Sequence, residues 1–152
     1  MTTILFDTET TGLLQPSINE LKAQPYIVEF YAVKIDDDFN VLGEFESYIK
    51  PPIPIPPEVS KIHGIDDAKV NRCPAFSDLA SDLCNFFVGV DTLVAHNLPY
   101  DRSMLANELL RCDMLLKFPW PANHVCTVEK SMWIEQRRMN LSKLHEIGRA
   151  YV

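Results

Sequence analysis

A short apolar run near the N-terminus, Ile4-Leu5-Phe6, ends abruptly at Asp7. Such a run predicts a buried central strand that delivers polar side chains at its end. Asp7 and Glu9 are two residues apart at this point. Because successive side chains of a strand alternate between its faces, both carboxylates should point in the same direction. The run therefore predicts an interior strand with two acidic side chains next to each other.

The segment after this strand predicts an antiparallel hairpin. Residues Tyr26–Ile35 are rich in β-branched and aromatic side chains, and Val41–Ile49 follow after a polar turn at residues 36–40. The next stretch, Pro51–Pro57, has too few backbone donors for a sheet or a helix and should be extended at the surface. It could serve as a polyproline ligand for a partner, but a single short run favours a stiff connecting loop.

Helical patterns alternate with strand patterns in the rest of the chain. A short helix over Glu58–His63 should stop at Gly64. Apolar residues recur at helical spacing over Phe76–Val88, and Gly89 should end that helix. The remaining predicted elements are a strand over Thr92–Ala95, a helix started by Pro99, a strand over Val125–Thr127, a helix through Trp133 and a helix over Leu141–Ile147 that Gly148 closes. The pattern predicts an α/β fold, a mixed sheet with helices packed on its faces.

Length and charge limit what the chain can be. Its 152 residues fit a single domain, and 47% hydrophobic with 23% charged residues is typical of a soluble globular protein. The formal charge of −7 provides no general attraction for a polyanion, so nucleic acid would have to be held locally. A divalent cation bound by a few carboxylates would supply local positive charge.

The cysteines and the N-terminus indicate in which cellular compartment the protein is found. Cys73, Cys84, Cys112 and Cys126 have no CxxC spacing, which argues against a zinc knuckle or a redox motif and favours reduced packing residues. The N-terminus has no basic region followed by a long apolar stretch, and no segment reaches membrane-spanning length. We therefore expect a cytoplasmic protein that does not contact the membrane.

Three segments are similar to motifs of a known enzyme family. An Asp-x-Glu pair alone is weak evidence, since turns favour Asp. However, the string ILFDTETTGL over Ile4–Leu13 resembles the first motif of the DEDD (DnaQ-like) 3′→5′ exonucleases, which belong to the ribonuclease H-like superfamily. The string VAHNLPYD over Val94–Asp101 resembles their second motif, and IHGI over Ile62–Ile65 is similar to a segment that many members place beside the 3′ end of the substrate.

The resemblance implies a fold, a reaction and a site. The fold would be a ribonuclease H-like mixed sheet, an antiparallel hairpin plus parallel strands, with helices on both faces. Asp7, Glu9 and Asp101 would be three of the four carboxylates that hold two divalent cations, Mg²⁺ or Mn²⁺, for hydrolysis at the single-stranded 3′ end of DNA or RNA. The residues expected to bind the terminal nucleotide are Thr10, Gly12, Leu13, His63 and Asn97. Without the motif, Leu13 would be interpreted as a core residue and His63 as a helix-end residue in contact with solvent.

The third motif of the family, which supplies the fourth carboxylate and a His or Tyr general base on a last helix, is not found. Residues Leu141–Gly148 resemble the helix that precedes it. Residues 1–152 would then form one exonuclease-like domain that is C-terminally incomplete relative to the family, with little or no activity of its own. Neither His145, on an amphipathic helix, nor His124 or His96 is a convincing substitute for the base.

Three explanations stay open for the missing motif: a shortened gene product, a last helix supplied by a partner chain, or a core that binds without efficient cleavage. An uncovered sheet face would also favour a homodimer. The alternative function is a catalytically inactive domain of the same fold that binds metal and single strands or another protein. A third possibility is a plain α/β scaffold whose carboxylates cap loops.

Overall fold

The computed structural model describes residues 1–129. In this part of the chain, five strands form one mixed sheet in the order β3-β2-β1-β4-β5. β1 pairs antiparallel with β2, and β2 with β3, whereas β1 and β4, and β4 and β5, are parallel. The predicted hairpin and parallel strands are thus confirmed. The strands are β1 (Thr3–Thr10), β2 (Ile27–Ile35), β3 (Val41–Tyr48), β4 (Thr92–Ala95) and β5 (Asn123–Cys126).

β1 is longer than its apolar run predicts. It lies at the centre of the sheet and continues past Asp7 as far as Thr10, because the ladder with β2 extends from Thr3 to Thr10. Its side chains alternate between buried and more exposed positions. The central position of the strand was predicted correctly, but the strand is longer than the apolar run, since the pairing with β2 maintains it through polar residues.

Within residues 1–126, four helices and one 3-10 turn, Leu21–Ala23, accompany the sheet. Gly64 caps the first helix in the left-handed conformation with φ 75°, as expected for a C-terminal glycine. The starts of the first and third helices lie within one residue of the predicted ones. The bounds are α1 (Pro57–His63), α2 (Asp67–Val70), α3 (Phe76–Phe87) and α4 (Leu98–Arg111).

The main core lies between one face of the sheet and helices α3 and α4. Phe30 of β2 is fully buried and packs its ring 5.7 Å from that of Phe6 in β1. Burial of a side chain of this size contributes about 1.5–3 kcal/mol. The helices contribute Phe76, Ala80, Leu83 and Phe87 from α3, and Leu98, Met104, Leu105 and Leu109 from α4. These contacts fix α4 against β1 and so bring Asp101 of α4 next to Thr8 of β1.

The proline-rich segment is a connecting loop, as predicted, but it is not wholly at the surface. Ile55 is 5% exposed and packs with Val28, Ile65 and Val70 in a second small core. Its backbone N–H donates to Asp67 Oδ1 at 3.0 Å. The segment is therefore fastened to α2 by one apolar side chain and one hydrogen bond.

The remaining predictions concern cysteines, membrane segments and the C-terminal part of the chain. The four cysteines are free thiols, and Cys126 is buried in the main core. In residues 1–129, no helix has the length and apolar character needed to cross a membrane. The fifth strand begins two residues before its predicted start, at Asn123. The helices predicted through Trp133 and over Leu141–Ile147, with His145, lie outside the described residues.

Candidate active site

Asp7 and Glu9 lie within β1, on the same face of the strand. Asp7 is exposed and Glu9 partly exposed, whereas Phe6, Thr8 and Thr10 face the buried side. The alternation of strand side chains therefore places both carboxylates together, as predicted. They lie in the C-terminal half of β1, which ends at Thr10.

Asp101 reaches β1 from the first turn of α4. The residue is 3% exposed, and its carboxylate Oδ1 accepts hydrogen bonds from Thr8 Oγ1 at 2.7 Å and from Thr8 N at 3.1 Å. Thr8 is the residue between the two acidic residues of β1. Residues 93 positions apart in the chain are thus joined at one place, and Asp101 lies beside the Asp7 and Glu9 pair.

The electrostatics agree with this proximity. Burial raises the pKa of Asp101 to about 7, the Thr8 hydroxyl bond opposes the rise, and the negative charge of Asp7 adds to it. Burial also raises the pKa of Tyr100, and the charges of Asp101 and Glu9 contribute to that rise. All three carboxylates therefore act on the same small region, where like charges accumulate.

The donor set suits a hard divalent cation, since Mg²⁺ and Mn²⁺ prefer carboxylate oxygens. A cation would also favour the ionised form of Asp101, whose pKa is high because its charge is buried beside another. Within residues 1–129, no three His, Cys, Asp or Glu side chains already converge closely enough to hold a metal ion. The chemistry of the three carboxylates therefore fits a cation, and their side chains would have to turn toward one another to bind it.

A hydrogen-bond network surrounds Thr10, the last residue of β1. Thr10 Oγ1 donates to the Gly12 carbonyl at 2.8 Å and lies 2.6 Å from the Tyr100 hydroxyl, which donates to the same carbonyl at 2.8 Å. His63 Nδ1 accepts from Ile65 N at 3.1 Å, so Nε2 carries the proton and donates to Thr10 O, also at 3.1 Å. The network joins three separate segments, Thr10–Gly12, His63 of α1 and Tyr100 of α4.

Leu13 and Asn97 lie at the surface near these elements. The Leu13 side chain is 80% exposed, so the alternative of simple core packing was wrong. Asn97 is exposed and precedes α4 in the left-handed conformation, with φ 66°. Asn tolerates this conformation better than most residues do, which lets the chain turn sharply between β4 and α4.

Sequence reasoning missed Thr8 and Tyr100. Each is adjacent in sequence to a predicted carboxylate, and strand alternation alone indicates that Thr8 faces away from Asp7. No local pattern reveals that Thr8 meets Asp101. Of the histidines considered as a base, His96 has Nδ1 at 2.9 Å from Thr127 Oγ1, and His124 lies on β5.

Comparison with known proteins gives consistent matches. The exonuclease family model RNase_T matches residues 4–149. DNA polymerase III subunit epsilon of Treponema pallidum is 42% identical over 109 residues, which cover 70% of this chain and 46% of that protein. The Haemophilus influenzae epsilon subunit is 29% identical over 149 residues, which cover 93% of this chain and 54% of that protein. The chain thus spans about half the length of these relatives.

Solved structures share the fold. Exonuclease X in complex with 5′ overhanging duplex DNA has a TM-score of 0.58 at 24% identity, covering 87% of this chain and 63% of that one. E. coli exonuclease I with a 5cy-dT13 oligonucleotide has a TM-score of 0.73 at 18% identity, covering 90% of this chain and 30% of that one. The predicted ribonuclease H-like sheet is confirmed. The chain belongs to the DEDD, DnaQ-like exonuclease family of the ribonuclease H-like superfamily.

Proposed function

We propose that this chain is a metal-dependent 3′→5′ exonuclease that removes nucleotides from a single-stranded 3′ end of DNA or RNA. The observation that carries the proposal is the pair of hydrogen bonds from Thr8 to Asp101, which brings Asp101 beside Asp7 and Glu9. These are the three carboxylates that the family motifs indicate. Membership of the exonuclease family supports the reaction class.

The proposed metal ligands are Asp7, Glu9 and Asp101, which would bind two Mg²⁺ or Mn²⁺ ions. When bound, the ions would supply the positive charge that an anionic phosphodiester transition state requires. Thr8 keeps Asp101 oriented toward β1, and the burial of Asp101 excludes water from one side of the site. A zinc-bound form of E. coli exonuclease I with single-stranded DNA is among the solved structures with this fold.

Thr10, Gly12, Leu13, His63 and Asn97 are the proposed contacts to the terminal nucleotide. His63 Nε2 donates to Thr10 O and Nδ1 accepts from Ile65 N, so this histidine fixes the end of β1. Leu13 presents an exposed apolar side chain on which a base could pack. Gly12 has no atom within 4 Å of where a Cβ would be, so a ligand has room to approach its backbone.

Residues 1–152 are proposed to act as one domain in the cytoplasm, alone, as a homodimer or with a partner chain that completes the site. The general base and fourth carboxylate are not assigned.

The test is Mn²⁺-dependent release of mononucleotides from a 3′-labelled single-stranded oligonucleotide. We expect slow release by the wild-type chain and none by Asp7→Ala. Asp38→Ala is the matched control, since it removes the same charge at an exposed position in the turn between β2 and β3. Release that survives Asp7→Ala would contradict the proposal.

The second candidate is a catalytically silent domain that binds metal and single strands or another protein. Within residues 1–129, no three His, Cys, Asp or Glu side chains already converge closely enough to hold a metal ion, which favours a domain without catalysis. A folded wild-type chain that binds the oligonucleotide in Mn²⁺ but releases no nucleotide would support this candidate over the first.

A further inference from the structure

The chain between β1 and β2, residues 11–26, forms a loop that carries Leu13. We call it the 11–26 loop. Thr11 N donates to Tyr26 O at 2.8 Å, and Tyr26 N donates to Thr11 Oγ1 at 2.9 Å. The loop therefore starts and ends at one point, next to the Thr10 network.

The side chain of Gln24 bridges the interior of this loop. Its Nε2 donates to Gln15 O at 2.9 Å and to Ile18 O at 2.7 Å, and its Oε1 accepts from Gln15 N at 3.0 Å. Both amide hydrogens and the amide oxygen are thus used. Regular secondary structure in this loop is limited to one 3-10 turn, so the Gln24 side chain holds the backbone two residues after Leu13, together with the Ile18 N–H donated to Gln15 O at 3.0 Å and the packing of Leu14 on the main core.

The backbone of Gln24 is in turn held by α4. Arg111 Nη2 donates to Gln24 O at 2.8 Å and to Leu21 O at 2.9 Å, and the guanidinium lies 3.7 Å from the centre of the Tyr26 ring. Planar guanidinium groups suit such double contacts. The last turn of α4 therefore holds the far side of the 11–26 loop.

Glu108 fixes the position of Arg111. Its Oε1 lies 3.2 Å from Arg111 Nη1 and accepts from Ile27 N at 2.8 Å. Glu108 is 4% exposed, and burial raises its pKa while the Ile27 bond and the charge of Arg111 oppose the rise. A buried carboxylate that pairs with Arg111 restricts where that side chain can point.

We propose that Gln24 and Arg111 are positioning residues that set the location of Leu13 relative to Asp101. Asp101 lies in the first turn of α4 and Arg111 in its last, so one helix holds both the carboxylate and the loop, at points about 15 Å apart along its axis. The inference rests on the proposed function, in which Leu13 contacts the terminal base. It predicts that loosening the loop weakens binding of the 3′ nucleotide and leaves hydrolysis unchanged.

The kinetic test compares Gln24→Ala with Asn19→Ala, an exposed position in the same loop. In the Mn²⁺ assay, we expect Gln24→Ala to raise KM roughly tenfold and to leave kcat unchanged. A tenfold change corresponds to the loss of about one hydrogen bond. Asn19→Ala should match the wild type. In a Leu13→Ala background, Gln24→Ala should raise KM no further, because both changes act on the same contact. A merely structural role would not produce this non-additivity.

A second measurement separates failure of this inference from failure of the proposed function. Hydrogen exchange of the backbone amides of residues 13–15, 17 and 18 should be faster in Gln24→Ala and unchanged in Asn19→Ala. If the wild-type chain releases no nucleotide, the proposed function fails, and hydrogen exchange alone then tests the positioning role. Equal exchange rates in the two variants overturn that role, whereas faster exchange in Gln24→Ala supports it. If the chain is active and Gln24→Ala leaves KM unchanged, the inference is overturned whatever the exchange rates.

Discussion

At the scale of single residues, Asp101 should lower the stability of the folded chain at neutral and alkaline pH. Its folded pKa of about 7 lies above its ordinary value of 3.8. The folded state therefore retains a proton that the unfolded chain has lost, and stability falls as pH rises through this window. Asp101→Asn keeps an oxygen that can accept from Thr8, so we expect it to raise the free energy of unfolding at pH 8 by about 2 kcal/mol.

Urea unfolding of the wild type and Asp101→Asn, in EDTA at pH 5 and pH 8, checks this. The increase in the free energy of unfolding caused by Asp101→Asn should be smaller at pH 5, where the Asp101 carboxyl of the folded wild type is mostly protonated. An equal difference between the two proteins at both pH values would show that the charge of Asp101 is not the cause.

The motif residues were recognisable in the sequence because their spacing is local. Asp7 and Glu9 lie on one face of β1 through strand alternation, which needs no knowledge of the rest of the fold. The contact between Thr8 and Asp101 spans 93 positions, and the anchoring of the 11–26 loop by Arg111 spans a similar distance. Such contacts depend on how α4 packs on the sheet, so sequence periodicity could not predict them.

At the scale of elements, replacing a glycine that ends a helix by alanine should cost more stability than replacing a glycine elsewhere. Gly64 and Gly89 have φ 75°, whereas Gly12 does not have a left-handed φ, and none of the three has an atom within 4 Å of the position that a Cβ would take. A change to Ala therefore tests backbone conformation without a steric clash. We expect Gly64→Ala and Gly89→Ala each to lower the free energy of unfolding by about 1 kcal/mol.

Gly12→Ala is the matched variant and should leave stability unchanged or slightly higher, because Ala restricts the unfolded chain. Thermal unfolding of the three variants makes the comparison. A loss for Gly12→Ala as large as for the other two would contradict the assignment of strain to the left-handed conformation.

Elements with a strong local period were predicted best. The bounds of β4 were predicted correctly and those of α3 to within one residue, since apolar spacing and a following glycine define them. β1 and β5 were predicted less well. The apolar run ends at Phe6, and only the pairing with β2 shows that β1 continues to Thr10. The order of strands likewise depends on long-range pairing.

At the scale of the whole molecule, the chain carries a formal charge of −7, and Asp101 of α4 is hydrogen-bonded to Thr8, the residue between Asp7 and Glu9 of β1. Mutual repulsion there opposes folding, and a bound divalent cation would relieve it. An ion that binds the folded state alone stabilises that state by RT ln(1 + [L]/Kd), about 2.7 kcal/mol at 100 times Kd. Binding of the cation should therefore appear as a rise in stability whether or not the chain cleaves nucleic acid.

We expect Mn²⁺ to raise the unfolding temperature of the wild type at pH 8, and to raise it less at pH 6, where a proton on Asp101 competes with the ion. Asp7→Ala should lose most of this rise, and Asp38→Ala should keep it. Thermal unfolding with and without Mn²⁺ measures the effect. An equal rise in Asp7→Ala would place the bound ion elsewhere and remove the carboxylates of β1 and α4 from consideration as its ligands.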